Sequence, residues 1–133
     1  MKSKIFFNYS RIKFIAPIIF SIIILILSII KAIKIPFIED YVFNSGTIAH
    51  FSAYFILSAL WFLNFYKKYK TKAFFISILL AATFGVLVEF IQTFFSYRHF
   101  EIKDMIINFT GTLIIIPAYY LLTKKAKKTL NKL

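Results

Sequence analysis

The chain has 133 residues, of which 60% are hydrophobic, with a mean hydropathy of +0.78 and a formal net charge of +12. Soluble domains are about 45–50% apolar, so this composition excludes an ordinary water-soluble enzyme and indicates an all-α integral membrane protein, one domain over residues 1–133. Cysteine is absent, which excludes disulfides and thiolate metal sites.

Four transmembrane helices with short loops are expected. The basic stretch 1–13 carries Lys2, Lys4, Arg11 and Lys13, and a charge-free run from Phe14 to Ile30 follows. With its flanks, at 14–31, this run just spans a hydrocarbon core of about 30 Å. It is long for a signal-peptide core, and Ser28-Ile29-Ile30-Lys31 is a poor cleavage site, so it reads as an uncleaved first span. Residues 31–47 form a loop in which Pro36 starts a short interfacial helix, with Glu39 and Asp40 in its first turn. Asn44-Ser45-Gly46 is expected to stop that helix and Thr47 to cap the next.

The second span, 48–65, places His50, Tyr54, Ser58 and Trp61 on one helical stripe. A basic loop, 66–72, leads to the third span, 73–95. That span is free of charge until Glu89, and Glu89 and Gln92, three apart, share a face. The polar break SYRHFEIK separates it from the fourth span, 104–122, where Asp104, Asn108 and Gly111 again lie on one face. A Lys-rich tail closes the chain.

Basic residues in short loops set orientation. The N-terminus, the middle loop and the tail hold four, four and five of them, whereas Lys31, Lys34, Arg98 and Lys103 are all that the other side has. Both termini are therefore expected in the cytoplasm. All five acidic residues then fall at or near the outer side. This segregation accounts for the net charge through topology and anionic lipid, and no nucleic-acid partner is expected.

The same topology predicts a meeting. His50 begins the second span, Glu89 and Gln92 lie near the end of the third, and Asp104 and Asn108 begin the fourth, so all should sit at similar depth. Glu89 should lie about 9 Å inside the third span at 1.5 Å per residue. An ionised carboxylate there costs about 2.5–3.5 kcal/mol on insertion scales, so it must pair, protonate or face water. Intramembrane acids are functional by default, and histidine changes charge near neutral pH. Glu89, Asp104 and His50 are accordingly the candidate catalytic residues; Arg98, Gln92, Asn108 and Tyr54 are the candidate substrate-binding ones. Plainer structural roles stand beside these: Asp104 as N-cap of the fourth helix, Gln92 and Asn108 as interhelical hydrogen-bonding groups, and Gly85 and Gly111 as points of close helix approach. His50, Glu89 and Asp104 also make a His-plus-two-carboxylate set. Nothing resembling H-E-x-x-H is present, so no metal and no cofactor are expected.

The combination H-x-x-x-Y (His50, Tyr54), G-x-x-x-E-x-x-Q (Gly85, Glu89, Gln92), Arg98 and D-x-x-x-N-x-x-G (Asp104, Asn108, Gly111) resembles the VanZ-like family of small polytopic membrane proteins, over about residues 45–115. This chain departs from the family pattern at Gly46-Thr47, at Ser96-Tyr97 and at Glu101, the last standing where a small capping residue is usual. The family is named for a protein that raises bacterial tolerance to teicoplanin-type glycopeptide antibiotics. The resemblance thus implies a multi-pass protein of the bacterial plasma membrane with a role in the cell envelope.

Three functional classes fit these residues. One is an enzyme or binder acting on an anionic envelope lipid or a lipid-linked cell-wall intermediate, with Arg98 on the anion, Glu89 as acid or base and His50 as relay. Another is a small transport or ion-coupling protein titrating at Glu89. The third is a non-catalytic assembly factor in which the cluster is structural glue. Whether the chain is an enzyme is left open by the residues; membrane lipids are the expected partners.

Overall fold

A computed structural model describes residues 2–29, 39–95 and 101–130, with side chains described for 14–29, 46–95, 101–121, 123 and 124. The described chain is helical: α1 (Lys2–Ile29), α2 (Glu39–Tyr69), α3 (Lys72–Gln92), α4 (Ile102–Leu113) and α5 (Ile115–Leu130). Among the described residues, three helical stretches are long and apolar enough to cross a membrane: Gly46–Tyr69, Lys72–Gln92 and Ile102–Leu121. Phe14–Ile29 is a shorter apolar helix. The chain is a helical membrane protein.

Several element boundaries differ from expectation. Residues 31–38, including Pro36, lie outside the described residues. From Glu39 onward, however, α2 is continuous, so Asn44-Ser45-Gly46 does not end a helix and Thr47 caps none. Gly46 sits inside a long helix with nothing near its Cα face, and one glycine in such a helix lowers stability without breaking it. The basic loop 66–72 shrinks to Lys70 and Thr71. Lys70 takes a left-handed φ of 49°, and its N–H donates to the Tyr66 carbonyl at 2.9 Å, closing the α2 C-terminus so that α3 turns back at once. The third helix ends at Gln92, earlier than residue 95.

The fourth span is not one uninterrupted helix. Pro117 has no N–H to offer the carbonyl of Leu113 and its ring crowds that position. The ladder breaks at Ile114, whose N–H donates instead to the Gly111 carbonyl at 3.3 Å. Asp104 does not cap α4: Glu101 holds the N-cap position in extended conformation, without a side-chain capping bond, and Asp104 lies in the first turn.

α2 packs along both α3 and α4, α3 and α4 pack on each other, and α1 lies against α2 and α3. Lipid offers no hydrophobic drive for helix association, so packing, small residues and hydrogen bonds do the work. The burial pattern follows that rule. Large apolar side chains such as Leu63, Phe75, Leu79 and Ile106 point outward, while Ser58, Ser77, Ala73, Ala81 and Thr112 are buried. Ser58 Oγ donates to the Thr112 carbonyl at 3.1 Å, tying α2 to α4. At Gly111 a Cβ would stand 2.5 Å from the Phe51 carbonyl oxygen, so α2 and α4 meet backbone to backbone. At Gly85 it would meet the Tyr54 ring at 3.0 Å.

Two apolar clusters fill the rest. Ile24, Tyr54, Leu57 and Ala81 form one. Phe62, Ala73, Phe74 and Ile115 form the other, toward the α2–α3 turn. In the second, Phe62 and Phe74 stack with centroids 4.5 Å apart, and the hydroxyls of Tyr66 and Tyr119 hydrogen-bond to each other.

Candidate functional site

The polar residues gather at the opposite end of the bundle from the Tyr66–Tyr119 pair. His50 is on α2, Glu89 on α3, Asp104 and Asn108 on α4. Glu89 lies three residues before the end of α3, about 4.5 Å along the helix axis at 1.5 Å per residue. It is nonetheless buried, with 1% of its surface exposed.

Asn108 is the hinge of the cluster. Its Nδ2 donates to Glu89 Oε1 at 3.5 Å, and its Oδ1 lies 3.0 Å from His50 Nδ1. With the amide so oriented, Oδ1 can only accept, so Nδ1 of His50 carries the hydrogen and donates. In neutral imidazole this leaves the lone pair on Nε2, which faces Asp104 Oδ2 at 4.0 Å, beyond hydrogen-bonding distance. Oε2 of Glu89 makes no hydrogen bond among the described residues, and the Glu101 backbone amide is a neighbour of this carboxylate. A donor atom from each of His50, Glu89 and Asp104 lies within 4.8 Å of the others. The cluster is therefore rich in acceptors: two carboxylates and a ring nitrogen share a small volume, linked by one amide.

The structure thus brings together His50, Glu89, Asp104 and Asn108. Tyr54 stands one helical turn from His50, 1% exposed, its hydroxyl without a hydrogen-bond partner among the described residues. Gln92 points elsewhere. Its Nε2 donates to the Ser28 carbonyl at 3.0 Å, pinning α3 to α1. The reading from sequence missed this partner, although Ser28 lies in the last described turn of α1, where carbonyls accept bonds from outside the helix. Arg98 lies outside the described residues. Replacing Gln92 with Leu is expected to lose roughly 0.6–1.7 kcal/mol, the scale of interhelical hydrogen bonds in membranes. A disulfide crosslink between cysteines placed on α1 and α3 should form more slowly in that variant, while one between α2 and α3 should be unchanged.

Beside the cluster lies a cavity of about 210 Å³ between α1, α2 and α3. Ile24, Leu27, Ala53 and Val88 line its apolar wall, and His50 and Tyr54 also border it. A pocket with one polar edge and an apolar wall suits a small part of an amphiphile rather than a whole ligand of the usual 300–1,000 Å³ class.

Helices long and apolar enough to cross a membrane, packed on small residues around a partly buried His–Asn–carboxylate cluster, define a polytopic membrane protein. The VanZ/LLP1 family model matches residues 3–123, and the chain belongs to that family. No curated protein matches the chain. No solved structure matches it either.

Proposed function

We propose that this VanZ-family protein is a four-span protein of the bacterial cell membrane, both termini cytoplasmic, that receives the polar head of a cell-envelope amphiphile in a pocket facing the outer leaflet. The observation that carries this reading is the adjacency of the polar cluster to the apolar cavity: His50 belongs to both. The head group would meet His50 at the cavity edge, with Asp104 beside it and the buried Glu89 behind, and an apolar portion would rest against Ile24, Leu27 and Val88. Arg98, in the link between α3 and α4, would supply the cation for an anionic head such as a lipid-linked cell-wall intermediate. Glu89 then acts as acid or base on that head group, with His50 as relay and Asn108 holding both in register. A contribution to glycopeptide tolerance would follow from altered handling of such an envelope component.

Mass spectrometry of lipids co-purified with wild type, Arg98→Ala and Glu89→Gln tests this. The expected result is one anionic amphiphile enriched over the bulk membrane in wild type and lost from Arg98→Ala. A co-purified lipid profile identical to the bulk membrane in all three proteins would count against it. The transport reading makes a different demand: a pH-dependent ion flux in proteoliposomes that Glu89→Gln abolishes.

A further inference from the structure

We propose that His50, Glu89 and Asp104 form a binding site for a divalent metal ion of the Zn²⁺ or Mn²⁺ class. The ion would take the same three side chains that the proposed head group meets, and its binding can be read without knowing the amphiphile. Three observations converge on it.

The first is the donor set. One imidazole and two carboxylates, from three different helices, place donor atoms within 4.8 Å of one another. Nitrogen with carboxylate oxygen suits ions of intermediate hardness. The second is the state of each donor. The hydrogen bond from His50 Nδ1 to Asn108 fixes the tautomer that bares Nε2 toward Asp104. A ligating histidine ordinarily donates its other ring N–H to an oxygen acceptor in this way. Asn108 also holds Glu89 Oε1, so the same side chain orients two of the three ligands. The third is Oε2 of Glu89. It is a buried oxygen without a hydrogen-bond partner among the described residues, on a side chain 1% exposed. Buried polar atoms in folded proteins are almost always satisfied, and a bound cation would satisfy this one.

Geometry allows the step. Metal–ligand distances of about 2.0–2.2 Å require donors roughly 3–3.5 Å apart, so the donors must close by about an ångström. The side chains of His50 and Asp104 are 24% and 26% exposed, which leaves room for that rotation and a path for the ion. A proton is the competing occupant: on Glu89 Oε2 it would neutralise the buried carboxylate, and on His50 Nε2 it would remove the one nitrogen donor and leave the two carboxylates.

The test uses the full chain in detergent, purified with a histidine-free affinity tag, stripped with chelator and titrated with Zn²⁺, Mn²⁺ and Co²⁺. Wild type is expected to bind one ion per chain and to give a Co²⁺ visible spectrum that Zn²⁺ displaces. His50→Gln and Asp104→Asn should abolish that spectrum, and Asn108→Ala should weaken affinity by about 10–100-fold, the usual effect of losing a group that orients metal ligands. Ser77→Ala, buried in α3 away from the cluster, serves as a control and should bind as wild type does. Size-exclusion profiles show which variants fold, and Asp104→Asn, at a partly exposed position in the first turn of α4, decides the matter if the others do not. No stoichiometric binding by wild type, or binding unchanged in folded Asp104→Asn, overturns the proposal.

Discussion

Replacing Gly111 with Ala should cost the bundle at least 1–3 kcal/mol, the usual scale of overpacking a tight interface, and Gly111→Val should cost more. The reason is geometric. The new Cβ would stand 2.5 Å from the Phe51 carbonyl oxygen and 3.2 Å from its carbon. Both are backbone atoms, so no rotamer can yield; α2 and α4 must part. Parting them also strains the Ser58–Thr112 hydrogen bond and the approach of His50 to Asn108. Three glycines make a graded series. Gly85→Ala meets the Tyr54 ring at 3.0 Å and Asn108 Cβ at 3.5 Å, side-chain atoms and not backbone, and should be milder. Gly46→Ala meets nothing within 4 Å and should stabilise α2 by about 0.5–1 kcal/mol, because glycine is the poorer helix residue. Unfolding midpoints in one detergent should rank Gly46→Ala, wild type, Gly85→Ala, Gly111→Ala from most to least stable. A Gly111→Ala protein as stable as wild type would mean that α2 and α4 do not touch there.

Asn108→Leu should be the most damaging single change within the cluster, at roughly 2 kcal/mol or more, since a buried group deprived of its partner loses about 1–3 kcal/mol. Two groups are affected: Glu89 Oε1 loses its donor and His50 Nδ1 loses its acceptor. His50 is half-buried and can recruit water, so most of the loss should come from Glu89. That apportionment has a consequence. In the double variant Glu89→Leu/Asn108→Leu the carboxylate is gone, and replacing both partners by apolar groups is often nearly neutral. The double variant should therefore be more stable than Asn108→Leu alone. Unfolding of the four proteins of this cycle in SDS titration measures the coupling; simple additivity would show that Asn108 and Glu89 do not interact. Asn108→Asp should also be unfavourable, because it sets a third carboxylate against Glu89 and Asp104.

Much of this protein was legible from composition and periodicity. Charge-free runs mark the apolar helices because a membrane span needs about 20 apolar residues. The three-and-four spacing of Glu89 with Gln92, and of Asp104 with Asn108 and Gly111, is a property of one helix alone. Antiparallel neighbours joined by short links then bring His50, Glu89, Asp104 and Asn108 to one end, which needs only the order of the helices.

Spacing along a single helix does not say which neighbour a face meets, and there the tertiary structure decided. Gln92 shares a face with Glu89, yet it turns to the Ser28 carbonyl on α1, because helix rotation within the bundle chooses the partner. Asp104 has the residue type of an N-cap, but the extended backbone at Glu101 starts the helix earlier and frees Asp104 to face His50. Asn108 joins the described ionisable groups, since the close contact of Gly111 with Phe51 sets α4 at the depth where one amide spans from histidine to carboxylate.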